Sequence, residues 1–157
     1  MSALEDRIYD FFFPCLNVAE DRFIEAHADI VRPHKSYVDY QIVNDTTTGV
    51  DHGRVTAEGQ MPIHQVKTLV VQLNFYGEDA KDAADLFLIK LEMESSLIRG
   101  EVMDLGLLSF TPPVDTSEVL AKTWERRQTV RLSLSHTMTV LDDVGLIEHV
   151  EVNGDFS

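Results

Sequence analysis

The residues best suited to chemistry lie near the carboxyl end, in the stretch LDDVGLIEHVEVNG from Leu141 to Gly154. Asp142 and Asp143 are adjacent, and Glu148 and His149 follow a few residues later. Paired carboxylates beside an imidazole can hold a divalent cation or share a proton. The functional interpretation of this stretch is therefore a metal-assisted hydrolase.

The same residues also suit a chain reversal or a kink. Aspartate accepts turn positions because its side chain bonds to the nearby backbone, and Gly145 can adopt a positive φ without steric cost. Strand alternation would send Glu148 and His149 to opposite faces, which disfavours a single site. We therefore interpret Asp142, Asp143, Gly145 and Glu148 as a structural turn motif and keep the hydrolase as the alternative.

Other signals for catalysis or ligand binding are weak. The six histidines have no paired ligand spacing such as His-Glu-x-x-His, and no serine stands in a Gly-x-Ser-x-Gly elbow. The single Cys15 cannot form an internal disulfide and is expected to be a small core residue. His136 falls on the apolar side of a predicted strand, which is typical of a hydrogen-bonded core or interface histidine. The sequence predicts no catalytic residue, cofactor or metal.

The chain is strongly acidic. Its 157 residues include 27 Asp and Glu against 13 Lys and Arg, for a net charge of −14. This length predicts a single domain over residues 1–157. The charge disfavours tight nucleic-acid binding, because phosphate contacts need clustered basic residues, yet acidic walls would let a duplex pass without sticking. No apolar run reaches the roughly 20 residues of a membrane span, and the acidic start differs from a secretory signal, so a soluble cytosolic protein is expected.

Residue spacing predicts an α/β (α+β) fold with a mixed, mostly antiparallel sheet. A short helix is expected over Ala3–Phe13, and one long helix is expected to begin at Glu78 and to stop at Gly100, both packed on the sheet. The predicted strands are Tyr37–Val43, Val66–Tyr76, Val102–Phe110 and Thr129–Val140, with a weak candidate at Asp21–His27 and a β-prone stretch at Ile147–Val152. Asp115–Leu120 is expected to be a connecting turn.

Two regions are candidates for contacts with other proteins. The polar stretch from Asn44 to Gly59 predicts a projecting loop or hairpin around residues 44–61, and we take Asp51 and His52 as its contact residues. Trp124, Arg126 and Arg127 form the second candidate interface, because Trp and Arg dominate binding hot spots. For Trp124 a place in the core is an equally good interpretation.

The segment WERRQTVRLSLSHTMTVLDDVGLIEHVEVNG, Trp124 to Gly154, resembles the C-terminal part of tailed-bacteriophage neck terminator, or tail terminator, proteins. In that family a strand opened by a Glu-Arg-type element leads into Asp-Asp-x-Gly-x-Ile-Glu-x-Val-Glu-Val. The matching positions here are Asp142, Asp143, Gly145, Ile147, Glu148, Val150, Glu151 and Val152. The stretches YVDYQIV and VVQLNFYG also look like the family's order of elements.

This resemblance implies a tail-terminator-like fold and a structural role in the virion, at the neck between head and tail. Proteins of this kind assemble as a ring, commonly hexameric, that ends the tail tube and joins it to the head-proximal connector. The implied partners are further copies of the chain, connector and neck proteins, the tail tube and, as a further candidate, the sheath. DNA would pass through the lumen without tight binding. A monomeric protein-binding module remains the other alternative to the hydrolase.

Overall fold

The computed structural model describes residues 3–33, 36–120 and 123–146. Within these ranges the helices are α1 (Ala3–Phe12), α2 (Ala80–Leu91) and α3 (Glu94–Met103). The strands are β1 (Phe23–Glu25), β2 (Tyr37–His52), β3 (Gln60–Tyr76), β4 (Gly106–Phe110), β5 (Val114–Asp115), β6 (Glu118–Leu120), β7 (Thr123–Glu125) and β8 (Arg127–Asp143). Short 3₁₀ turns occupy Phe13–Cys15 and Glu20–Arg22.

The main sheet has the strand order β1-β2-β3-β8-β4, and β5 also pairs with β8. The β1 and β2 strands are parallel, whereas the other pairs are antiparallel, so the sheet is mixed and mostly antiparallel as predicted. The β6 and β7 strands form a separate small hairpin. Three helices beside this sheet confirm the α+β class.

The core lies between the helices and one face of the sheet. Every second residue of β3 and β8 faces the helices there, and these side chains are completely or almost completely buried: Leu69, Val71, Leu73, Phe75, Val130, Leu132 and Leu134. From the helices, Phe12 and Phe87 meet edge to face with ring centroids 5.6 Å apart. Burying each such side chain contributes about 1.5–3 kcal/mol relative to leaving it exposed, so this contact fixes the position of the helices on the sheet.

The single long helix that the sequence predicts is two helices in the structure. The α2 helix ends at Leu91, and Met93 has extended backbone before α3 begins. Gly100 does not stop a helix but lies inside α3, where an added Cβ would collide with the carbonyl oxygen of Leu105. The real stop is Asp104, which has left-handed backbone with φ 54°. Because α3 extends to Met103, β4 begins only at Gly106.

A side-chain network holds α3 against α1. The guanidinium of Arg99 donates to the carbonyl oxygen of Phe11 at 2.9 and 3.1 Å, and its Nη2 lies 3.1 Å from Cys15 Sγ. The hydroxyl of Ser96 donates to the carbonyl oxygen of Lys90 at 2.6 Å. Cys15 is buried as expected, and it is also part of this polar network.

The polar stretch predicted as a loop or hairpin is a long β-hairpin. The β2 strand continues to His52 and pairs with β3, and β8 runs beside β3 to Asp143. These three strands extend past the helix-covered core as a projection, which we call the arm and define as residues 44–68 and 137–146. Other short segments also differ from expectation, since Asp115–Leu120 contains β5 and β6, and Asp21–His27 combines a 3₁₀ turn with β1.

Candidate functional site: the arm and the groove at the opposite end

The arm has two strand edges without a partner among the described residues. On one side, β1 accompanies β2 only as far as Tyr40, so the part of β2 from Asn44 onward pairs with β3 alone. On the other side, β4 pairs with β8 only over Leu132–Ser135. Both strands are antiparallel to β3, and they therefore run parallel to each other. Unpaired edges expose rows of N–H and C=O groups that can pair with another chain.

The two faces of the arm differ in chemistry. On the face continuous with the core, the pairing register places apolar side chains together: Val50, Met61, Ile63, Met138 and Val140. The opposite face is more polar and carries several hydroxyl groups and one imidazole, those of Thr46, His64, Thr137 and Thr139 among them, together with the apolar side chains of Val66 and Leu141. His64 Nδ1 lies 2.9 Å from the hydroxyl oxygen of Thr139. The apolar alternation of the core therefore continues into the arm, where none of the three described helices covers it.

Charged side chains mark the base of the arm, on the apolar face. Lys67 Nζ lies 3.7 Å from Asp45 Oδ2, and His136 Nε2 lies 3.6 Å from Asp45 Oδ1. His136 is buried on the apolar side of β8, as predicted. The second contact is an ion pair only when the imidazole is protonated. This cluster closes the apolar core and connects all three strands of the arm.

In the structure, Asp142 and Asp143 do not form a common metal site. Asp142 and Asp143 belong to β8 and pair with Met61 and Gln60, so they are strand residues, and β8 ends at Asp143. Successive strand residues point to opposite faces, which keeps the two carboxylates from meeting at one ion. No group of three His, Cys, Asp or Glu residues that could hold a metal occurs in the described part of the chain. Glu148 and His149 lie outside it.

Residues 144–146, which follow β8, connect the end of β8 to the segment just before β3. The N–H groups of Val144 and Gly145 donate to the carbonyl oxygen of Gly59 at 3.2 and 2.9 Å. Gly59 and Gly145 both have positive φ, at 78° and 73°, which a larger residue would strain. A Cβ on Gly59 would also lie 2.9 Å from the carbonyl carbon of Gly145. The motif thus fixes the far end of the arm.

A large groove lies at the other end of the sheet, where β2 begins and β3 ends. It has a volume of about 1310 Å³ and lies between the turn Phe13–Cys15, the first turns of α2 and the β6-β7 hairpin. Trp124 lines it with 59% of its surface exposed, so Trp124 is not a core residue, and its role as a contact residue stays a prediction. Arg126 is exposed beside it. The groove shares no described lining residue with the arm.

The other predicted contact residues, Arg127, Asp51 and His52, do not line this groove. Arg127 lies in β8, 3.4 Å from Glu118 and over the ring of Tyr76, so its guanidinium is used within the chain. Burial raises the pKa of Tyr76 to about 12, which keeps that phenol neutral. Asp51 and His52 are exposed near the tip of β2. The structure therefore places the sequence-derived candidates at two distant surfaces.

Comparison with known proteins gives the chain a family. Within the described residues, no helix is long and apolar enough to cross a membrane. A search among curated proteins found no match. A family model described as "Phage neck terminator protein" matches residues 2–157, and the chain therefore belongs to the phage neck terminator family, whose members are structural components of the virion neck.

Proposed function

We propose that copies of this chain form a closed ring in the phage neck, which ends the tail tube and joins it to the head-proximal connector. DNA passes through the lumen of this ring. Membership of the neck terminator family supports the location and the structural role. The observation that carries the ring is the arm, because it offers two different unpaired edges on opposite sides of one ribbon.

Ring closure follows from the two edges. A contact between identical patches ends after two subunits, whereas a contact between two different patches repeats until a rotation closes it. The β2 edge of one copy pairing with the β8 edge of the next is a contact of this second kind. Since β2 and β8 run parallel within the arm, this pairing preserves strand direction around the ring. A hexamer is the size we propose.

The charge of the arm supports a DNA-containing lumen. Its acidic residues outnumber its basic ones: Asp45, Asp51, Glu58, Asp142 and Asp143 against Arg54 and Lys67. The hydroxyl-rich face has no basic cluster to hold phosphates. A negative wall repels the duplex weakly at each point and lets it slide. We propose that this polar face is turned to the lumen and that the chain is made in the host cytoplasm before assembly.

A cysteine pair across the two edges tests the ring. Asp51 and Thr139 lie in one row of the arm, since both are paired with His64, and so their side chains share a face. In assembled particles the double variant Asp51→Cys/Thr139→Cys should yield an oxidation ladder that stops at a fixed number of subunits. Moving the second cysteine to Thr137 or Leu141 covers a shifted register. Cys15 is buried and can stay.

The single variants are the matched controls and should give no ladder, because the proposed contact joins different edges. Cross-linking in a single variant would show a contact between identical edges and would contradict the ring. Absence of the chain from purified particles would refute the neck role itself. Of the alternatives, the hydrolase is disfavoured by the opposite faces of Asp142 and Asp143, and a monomeric binding module would give no ladder with any pair.

A further inference from the structure

The groove at the end of the sheet has an apolar wall that the core does not use. Leu86, on the outer side of α2, lines the groove and has 43% of its surface exposed. Trp124 lines it from the β6-β7 hairpin. Exposed apolar residues continue from Leu86 along α2 to Ile89 and Met93. Contiguous apolar surface of this kind marks a contact site, because leaving it in water costs free energy.

The side of the groove formed by α2 is negatively charged. Glu78, Asp79 and Asp82 line it around the start of α2, and Asp79 already accepts a hydrogen bond from Ser36 at 2.9 Å. Glu78 and Asp82 are exposed and have no ion pair among the described residues. On the opposite side, Arg126 and Arg22 are the basic residues of the lining. An occupant therefore needs positive charge where it faces α2.

Size and position narrow the class of occupant. The groove has a volume of about 1310 Å³, which is larger than the range of roughly 300–1,000 Å³ typical of small-molecule pockets. It is also partly open to solvent. The arm occupies the opposite end of β3, so strand pairing at the arm edges does not itself fill the groove. Nucleic acid is disfavoured by the acidic α2 side.

We propose that this groove docks a segment of another neck protein, one whose apolar side chains are flanked by lysine or arginine. The proposal rests on the ring described above, in which the arm contacts further copies of the chain and the groove end is left for a different component. The apolar side chains pack between Leu86 and Trp124. The basic side chains face Glu78 and Asp82.

Photo-cross-linking in assembled particles tests the site. A benzophenone amino acid replacing Leu86 should capture a neck protein other than this chain, and the captured peptide should contain Lys or Arg next to apolar residues. The matched probe replaces Val50 in the arm and should capture copies of this chain. Three results would overturn the proposal. The probe at position 86 could capture only this chain, it could capture an acidic segment, or it could give no product while the Val50 probe reacts. A chain missing from the particles would refute the proposed function as well.

Binding in solution then tests the chemistry of recognition. Trp124 is the only tryptophan of the chain, so its fluorescence emission should shift to shorter wavelength when a tryptophan-free synthetic copy of the captured peptide binds. The double variant Glu78→Gln/Asp82→Asn should bind that peptide about fivefold more weakly, because two exposed charge pairs together contribute about 1 kcal/mol. The control Glu94→Gln/Glu101→Gln, on α3, should leave the Kd unchanged. Equal binding of a peptide with Glu in place of Lys and Arg would contradict the charge argument.

Discussion

The two halves of β3 have the same alternation and opposite surroundings. From Leu69 to Phe75 every second side chain is buried under the helices, whereas in the arm half the equivalent positions, such as Ile63, are only partly buried and lie beyond the helices that the structure describes. The register with β8 is continuous across both halves. Strand formation therefore depends on the local pattern and the backbone ladder, while burial depends on how far the helices reach. An apolar face that extends beyond the described helices is a candidate contact surface for another molecule.

The largest expected effect comes from truncating apolar residues on the same face of β8 in the two halves, Leu132 under the helices and Val140 in the arm. Leu132 is fully buried, and Leu132→Ala should lower the free energy of unfolding by about 2–5 kcal/mol through lost burial and a residual cavity. Val140 is 58% exposed, and Val140→Ala should change the free energy of unfolding by less than about 0.5 kcal/mol. Chemical denaturation at concentrations where the chain is monomeric measures both. Similar losses would mean that the arm is packed against something in solution.

Alanine substitutions at two glycines compare how tightly the backbone is constrained at the groove end of β3 and in the arm. Gly77, at the end of β3, has φ 120°, and an added Cβ would collide with the side chain of Ser36. Gly77→Ala should therefore lower the melting temperature, with a destabilisation of about 2 kcal/mol or more. Gly49 lies in the arm with nothing within 4 Å of the added Cβ. Gly49→Ala should be neutral or stabilise by about 0.5–1 kcal/mol. A destabilising Gly49→Ala would show that the arm backbone is constrained.

The smallest effect concerns the charges at the base of the arm. Asp45→Asn removes the partner of Lys67 and His136 and should destabilise by about 1 kcal/mol, because these groups are partly withdrawn from water. The matched variant Asp85→Asn breaks the Lys81–Asp85 pair, an exposed i,i+4 pair 3.0 Å apart, and should cost about 0.3–0.5 kcal/mol. Denaturation with and without added salt separates them. If the two variants lost the same stability, and added salt abolished both losses, the charged groups at the base of the arm would not stabilise the fold more than an ordinary surface ion pair.

Sequence alone predicted the elements whose pattern is long and regular. The strand at Val66–Tyr76 and the strand at Thr129–Val140 were placed well, because alternation over many residues is difficult to mistake. The break between α2 and α3 was missed, since Glu92, Met93 and Glu94 all have good helix propensity and tertiary contacts of Arg99 and Ser96 decide the break. Gly100 looked like a stop but serves close packing against Leu105.

The candidate surfaces were harder to find from the sequence. Met138 and Val140 continue the apolar side of β8 in the sequence, and only the limited reach of the helices shows that they are exposed. Glu78 and Asp79 stand where carboxylates complement the dipole of a helix, which explains their residue type but not that they line a groove. Leu86 did hold a usable signal, because it lies off the helical stripe formed by Ala84, Phe87, Leu88 and Leu91.

The ladder between β3 and β8 has a mechanical consequence. Its 17 residues are paired without a bulge from Gln60 to Tyr76, over a length of about 55 Å. A ribbon whose hydrogen bonds are unbroken resists stretching along its axis better than a chain of elements joined by loops. A force applied at the tip of the arm would therefore reach the groove end of the sheet through one continuous strand pair, β3 and β8.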